Sequence, residues 1–311
     1  MVRANGVFEG GGVKGIALVG AVSRLEEEGV KFQRVAGTSA GAITASLYAA
    51  GYSAAEMKAA VWSKDFNEFA DIRPFMTGKW YQGLWKKFFL LAQVPIPQLG
   101  YGIYPTNAVY QWIKELLEKK GVRKFSDCHT PLRIFASDVT NQQLLTFDSA
   151  KTPGVEVAEA VRMSMAIPIF FKAHNWKTAQ GPAQVVDGGL LKNYPIDTFD
   201  DQPEVMTVGL KLSSEGDAAP AEPAKNFGAF LIRTLDTMRA ANEKIHVEDA
   251  YWARTVPINT GNISAVKFSL TEEEKTFLYE SGRKAAEEAL HEGLLGPFGR
   301  KGLLKKTTGV P

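Results

Sequence analysis

Two glycine-rich turns, each entered from a short extended segment and left by a helix, constrain this chain more than any other feature. Val7 and Phe8 close an extended segment that meets Gly10-Gly11-Gly12, after which Ile16-Ala17-Leu18-Val19-Gly20-Ala21-Val22 and Leu25 supply an apolar helical face ending at Gly29. The order then recurs. Gln33 to Ala36 is extended, Gly37-Thr38-Ser39-Ala40-Gly41 is a sharp turn, and the small apolar residues of Ala42 to Ala50 suit a buried helix. Ser53 with Glu56 forms a capping box for a further helix towards Ser63. Strands are expected over Arg133 to Val139, Leu144 to Phe147, Gln184 to Val186, Val205 to Leu212 and Arg254 to Ile258. A helix is expected over Val155 to Met165, another near Phe227 to Ile245, and a last one opened by Thr271 with Glu274 and closed by Gly293. Strands alternating with helices predict an α/β fold, a mostly parallel central sheet with helices on both faces.

Composition narrows the function classes. With 45% hydrophobic and 23% charged residues the 311-residue chain can bury a substantial core. Its 36 Lys plus Arg against 34 Asp plus Glu leave a net charge of +2, which does not suit a dedicated nucleic-acid binder, so no nucleic-acid partner is expected. The one cysteine, Cys128, excludes an internal disulfide and a cysteine-based zinc site. No stretch approaches the roughly 18 to 20 apolar residues of a membrane-spanning helix, and Met1 to Glu9 lacks a leader pattern, so the expected location is cytoplasmic. One domain over 1–311 is expected. Residues 213–226, rich in Ser, Gly, Asp, Ala, Glu and Pro, are read as a mobile loop, and 227–311 as a C-terminal helical part packed on the same sheet.

The chemistry concentrates in the turns. Gly37-x-Ser39-x-Gly41, between a strand and a helix, is the pattern of a nucleophile elbow: small neighbours let a strained turn lift the serine hydroxyl above the sheet, next to a helix N-terminus that favours negative charge. Gly10, Gly12 and Gly15 also satisfy G-x-G-x-x-G, but a dinucleotide fold wants an acidic residue about 20 positions on, where this chain runs Val35-Ala36-Gly37. The alternative is that unshielded glycine amides form an oxyanion hole beside Ser39. Lys14 admits two readings, a charge for a phosphate or a surface lysine. Of four histidines, His129, His174, His246 and His291, only the last two follow Asp187 in the Ser-acid-His order, and both fall in expected helices. Asp187 ends an apolar strand before Gly188-Gly189. It reads equally as a general base, its pKa raised by burial, or as a turn aspartate bonding its own backbone.

Taken together, Gly10-Gly11-Gly12-Val13-Lys14-Gly15, Gly37-Thr38-Ser39-Ala40-Gly41 and Asp187-Gly188-Gly189 resemble the three ordered motifs of patatin-like phospholipases. Met163-Ser164-Met165-Ala166-Ile167-Pro168 resembles that family's Ser-x-Ala-x-Pro element, and Asn193 with Pro195 follows the acid as is typical. The match runs from Val7 to Pro195. One departure is Glu9, where many members carry aspartate. The resemblance implies a three-layer patatin-like architecture and a lipid acyl-ester hydrolase working through a Ser39–Asp187 dyad without histidine. In it, amides of Gly11, Gly12 and Val13 form the oxyanion hole, and Gly10, Lys14, Gly15, Gly37, Gly41, Gly188 and Gly189 support the site. No metal or cofactor is required. An acyltransferase on the same elbow, or a silent lipid-binding protein, are the alternatives.

Two segments are candidates for peripheral membrane contact. Residues 79–94 interleave Trp80, Tyr81, Leu84, Trp85, Phe88 and Phe89 with Lys79, Lys86 and Lys87, which suits an interfacial lid or an ordinary core helix. Residues 299–311 carry Arg300, Lys301, Lys305 and Lys306 with no acid between them, which suits anionic lipid or a solubilising end. Deleting residues 299–311 is expected to weaken co-sedimentation with anionic vesicles. Unchanged sedimentation would remove this segment from lipid contact.

Overall fold

The computed structural model describes residues 2–70, 101–201, 204–213, 234, 237 and 249–293. The 79–94 and 299–311 segments, the expected helix near 227–245 apart from residues 234 and 237, His246 and all of 213–226 but Ser213 lie outside the described residues. The elements are β1 (Val2–Phe8), α1 (Ile16–Glu27), β2 (Val30–Thr38), α2 (Ala40–Ala49), α3 (Ala54–Trp62), β3 (Gly102–Tyr104), α4 (Asn107–Lys119), β4 (Leu132–Asp138), β5 (Gln143–Asp148), α5 (Val157–Ser164), β6 (Ile169–Phe171), β7 (His174–Thr178), β8 (Gly181–Asp187), β9 (Thr207–Ser213), α6 (Asp249–Trp252), β10 (Thr255–Asn259) and α7 (Glu272–His291).

Eight strands form the main sheet in the order β10-β9-β1-β2-β4-β8-β7, with β5 also paired to β4. From β10 to β4 every pairing is parallel, whereas β5, β8 and β7 join by antiparallel pairing. The sheet is mostly parallel, and its exceptions gather at one end. There β4 turns straight back into β5 through Val139–Gln142, and β7 into β8 through the tight turn that leads to Gly181, connections too short for a helical crossover. The short pair β3 and β6 is a separate parallel ribbon.

Helices lie on both faces, unequally. Alternation along β1 sends Ala4 and Phe8 into a large core with Ile16, Leu18, Val22 and Leu25 of α1, Leu47 of α2, Met57 of α3, Ile113 and Leu117 of α4, and Leu278 of α7. Val7, together with Ala36 and Phe135, faces the other side. There Tyr194, Ile196 and Phe199 of the loop after β8, with Tyr251 of α6, form a smaller cluster. Each fully buried side chain of this size contributes roughly 1.5–3 kcal/mol. The C-terminal α7 packs along α1, and its Arg283 bonds both carboxylate oxygens of Glu27. The capping boxes at Ser53/Glu56 and Thr271/Glu274 form as their sequences predict. Helix α4 and strand β7 add to the expected elements. Val109, Ile113, Leu116 and Leu117 give α4 its buried face.

Asp138 ends β4 and ties the turn into β5. Its buried carboxylate accepts the Thr140 and Asn141 amides at 2.9 and 3.1 Å and the side-chain amides of Asn141 and Gln143 at 2.8 and 3.0 Å. Burial pushes its pKa up, but these hydrogen bonds outweigh it and hold the carboxyl below its ordinary value. A depressed folded pKa means that the stabilisation is complete at neutral pH. It is lost as pH falls below the unfolded value, about 3.9, and through the folded one. Asp138→Ala should therefore lower unfolding stability at pH 7 by about 1–3 kcal/mol, with a smaller difference near pH 3. Equal urea midpoints at pH 7 would contradict this.

Candidate active site

The pairing register brings three strand ends together. Phe8, the last residue of β1, pairs with Gly37 of β2, so the glycine loop after β1 and the turn after β2 leave the sheet side by side. Strand β5 occupies one edge of β4 from Arg133 to Asp138, so β2 and β8 share the other edge. They approach it from opposite directions: Thr38 pairs with Phe135, and Asp187 pairs with the next residue, Ala136. The chain thus delivers Ser39 and Asp187 to one point at the carboxyl end of the parallel strands, where ligand sites collect in open α/β sheets.

Ser39 has φ 53 and ψ −122, a backbone state that costs a non-glycine residue about 1–3 kcal/mol. It is 3% exposed and precedes the first turn of α2, whose positive end it therefore faces. The flanking glycines are required by close approach. A Cβ on Gly37 would stand 2.2 Å from the Gly41 carbonyl oxygen, and one on Gly41 would stand 2.1 Å from that of Phe8. The Ser39 amide donates to Ser164 Oγ at 2.8 Å.

Asp187 is fully buried and caps a short helical turn over Gly188–Leu190, its Oδ1 accepting the Gly189 amide at 2.6 Å. The turn-aspartate reading is thus realised by one oxygen of the carboxylate. No hydrogen bond joins the Ser39 hydroxyl to Asp187 among the described residues, and in unliganded sites such bonds often tighten only on substrate binding.

The glycine loop is held from below. Glu9, 2% exposed, pairs with Lys211 Nζ at 2.7 Å, accepts Asn193 Nδ2 at 3.3 Å and accepts the Leu212 amide. The Gly10 amide donates to the Asn193 carbonyl at 3.1 Å, so the loop after Asp187 and the loop after β1 are bonded directly. A Cβ on Gly10 would lie 3.1 Å from Ser39 Cβ. Gly12 has φ +57, and a Cβ there would stand 2.0 Å from the Ala265 carbonyl oxygen. The Val13 amide donates to that same carbonyl at 3.0 Å. The Val13 amide, expected among the oxyanion donors, is thus engaged by Ala265. The Gly11 and Gly12 amides make no hydrogen bond among the described residues. Lys14 is half-buried and its Cε lies 3.7 Å from a Cβ built on Gly11, while Gly15 ends the turn that leads into α1.

A cleft of about 570 Å³ opens at this junction. Ser39, Gly12, Val13 and Gly15 line it. Apart from Thr44 the rest of its wall is apolar, chiefly Ile16, Ile43, Phe66, Phe69, Trp112, Ile167, Phe171 and Phe268. Phe66, Phe69 and Trp112 pack on one another with ring centroids 5.6 to 6.3 Å apart. Among the described residues none that lines it is a histidine. His174 bonds Glu159 at 2.8 Å, His129 lies against Gly51, and His291 stands in the last turn of α7. Sequence reasoning missed the aromatic wall, Ala265 and the contacts of Ser164. Only Ser164 had a signal, its place in the Met163–Pro168 element.

A family model described as patatin-like phospholipase matches residues 6–200. The uncharacterized protein YqhO of Bacillus subtilis strain 168 is 35% identical over 294 residues, covering 91% of this chain and 96% of its own length. An uncharacterized NTE family protein of Mycobacterium tuberculosis strain H37Rv is 29% identical over 225 residues, 71% of this chain but 31% of that protein. Among solved structures, VipD from Legionella pneumophila shares the fold with a TM-score of 0.57 and 21% identity, covering 94% of this chain and 66% of that one. The human GIVD cytosolic phospholipase A2 shares it at a TM-score of 0.50 and 9% identity, covering 98% of this chain and 60% of that one. Joined to the three motifs whose strand ends converge on one cleft, these likenesses have one consequence: the chain belongs to the patatin-like phospholipase family.

Proposed function

We infer that this protein is a serine hydrolase of lipid acyl esters. Ser39 Oγ attacks the ester carbonyl carbon while its proton passes to the Asp187 carboxylate. The carbonyl oxygen, now negative, is held by the amides of Gly11 and Gly12. The tetrahedral intermediate then collapses. The bond from carbonyl carbon to alcohol oxygen breaks, and the leaving alkoxide takes the proton from Asp187, leaving Ser39 acylated. Water, deprotonated by Asp187, attacks the acyl-enzyme and releases the fatty acid with Ser39 restored.

One observation carries this reading: a strained, buried serine lines an apolar cleft, where β8 brings a buried carboxylate to the same edge of β4. Each acyl methylene moved from water into such a cleft gains about 0.8 kcal/mol, so the lining favours a long-chain substrate over a small polar one. Family membership points the same way, towards lipid. The described histidines lie away from the cleft lining, which favours a dyad over a triad.

The test is hydrolysis of p-nitrophenyl esters of graded chain length and of phospholipid and lysophospholipid in mixed micelles. Ser39→Ala and Asp187→Asn should each lower kcat at least 1,000-fold, about 4 kcal/mol of transition-state stabilisation, with melting temperatures near wild type. Alanine at His129, His174, His246 or His291 should leave kcat within a few-fold. A folded histidine variant without activity would replace the dyad with a triad, and a wild-type protein that binds vesicles but turns over none of these esters would overturn the reading.

A further inference from the structure

The Met163–Pro168 segment takes no part in the proposed chemistry, yet it grips the backbone on both sides of it. Helix α5 ends at Ser164, which is fully buried. Its hydroxyl accepts the Ser39 amide at 2.8 Å and donates to the Phe135 carbonyl at 2.6 Å. Two residues on, the Ala166 carbonyl accepts the Asp187 amide at 2.8 Å. The Ile167 amide donates to the Met165 carbonyl at 2.8 Å, closing a three-residue turn centred on Ala166. Two residues of one buried run, Ser164 and Ala166, therefore hold the amides of both Ser39 and Asp187.

We propose that Ser164 is a positioning residue for Ser39, its hydroxyl tying the strained elbow to strand β4 while Ala166 ties Asp187 to the same run. This rests on the reading of Ser39 as nucleophile and Asp187 as base. Ser39 is held at φ 53 only as long as its surroundings impose that angle. Without the Ser164 hydroxyl, the Ser39 amide and the Phe135 carbonyl lose a shared partner in the interior, and the elbow can relax away from Asp187. Misplacement of a reacting atom by about 1 Å can cost on the order of 100-fold in rate. The Ser164 hydroxyl itself does not line the cleft, so substrate binding is spared.

The experiment compares wild type, Ser164→Ala and Ser164→Thr by steady-state ester hydrolysis and by hydrogen exchange at the Ser39 amide. Ser164→Ala should lower kcat 10- to 100-fold with KM within two-fold, and should speed exchange of the Ser39 amide at least ten-fold. Ser164→Thr, which keeps a hydroxyl, should recover part of both. A folded Ser164→Ala protein with kcat within two-fold of wild type, or with KM raised and kcat unchanged, would overturn the proposal. Should wild type hydrolyse no ester, the nucleophile reading fails, and the exchange rate still decides whether Ser164 holds the turn: faster exchange in Ser164→Ala supports it and an unchanged rate overturns it.

Discussion

One edge of strand β4 is shared by two strands that arrive from opposite ends, and the rest of the site depends on that sharing. A strand has two edges, and β5 fills one of them from Arg133 to Asp138. On the other, β2 pairs as far as Phe135 and β8 begins at Ala136, so the strand ends meet head to head. Ser39 and Asp187, far apart along the chain, become neighbours with no loop needed to carry either of them. Both leave the sheet at positions fixed by backbone hydrogen bonds, the most rigid scaffold a protein offers for a pair of reacting groups.

The glycine loop joins this junction through β1, and its hold is electrostatic. A buried carboxylate such as Glu9 is costly unless paired and hydrogen-bonded. Here it meets Lys211 and the Leu212 amide on β9 and the Asn193 side chain in the loop after Asp187. That network cross-links β1, β9 and the post-Asp187 loop directly beneath the glycines. A shorter aspartate at this position would need a different approach to the same partners.

The parts of the site governed by local chemistry were legible in the sequence. Gly37 and Gly41 announce a turn that only glycine's lack of a Cβ permits, and Asp187-Gly188-Gly189 announces a strand end. Capping boxes at Ser53 and Thr271 gave helix starts for the same reason. What depends on long-range pairing was not legible. Nothing in the run around Ala136 says that two strands share its edge, and the three-residue ribbon strands β3 and β6 are too short for periodicity to register. The commitment of the Val13 amide follows from Ala265, a residue far along the chain with no motif of its own. Helix α4 is a different case: the spacing of Val109, Ile113, Leu116 and Leu117 is plain, and the motif-centred expectation passed over it. The aromatic wall of the cleft combines Phe66 and Phe69 with Trp112 and Phe268, four residues that only the folded chain brings together.

The central claim is that β2 and β8 meet to make an activated serine out of Ser39. Covalent labelling by an alkyl phosphonate, mapped to the modified peptide by mass spectrometry, tests it without a choice of substrate. The account predicts a single adduct, on Ser39, formed rapidly by wild type and at a small fraction of that rate when Asp187 is asparagine. An adduct on another residue, or a folded protein that takes no label at all, would contradict it.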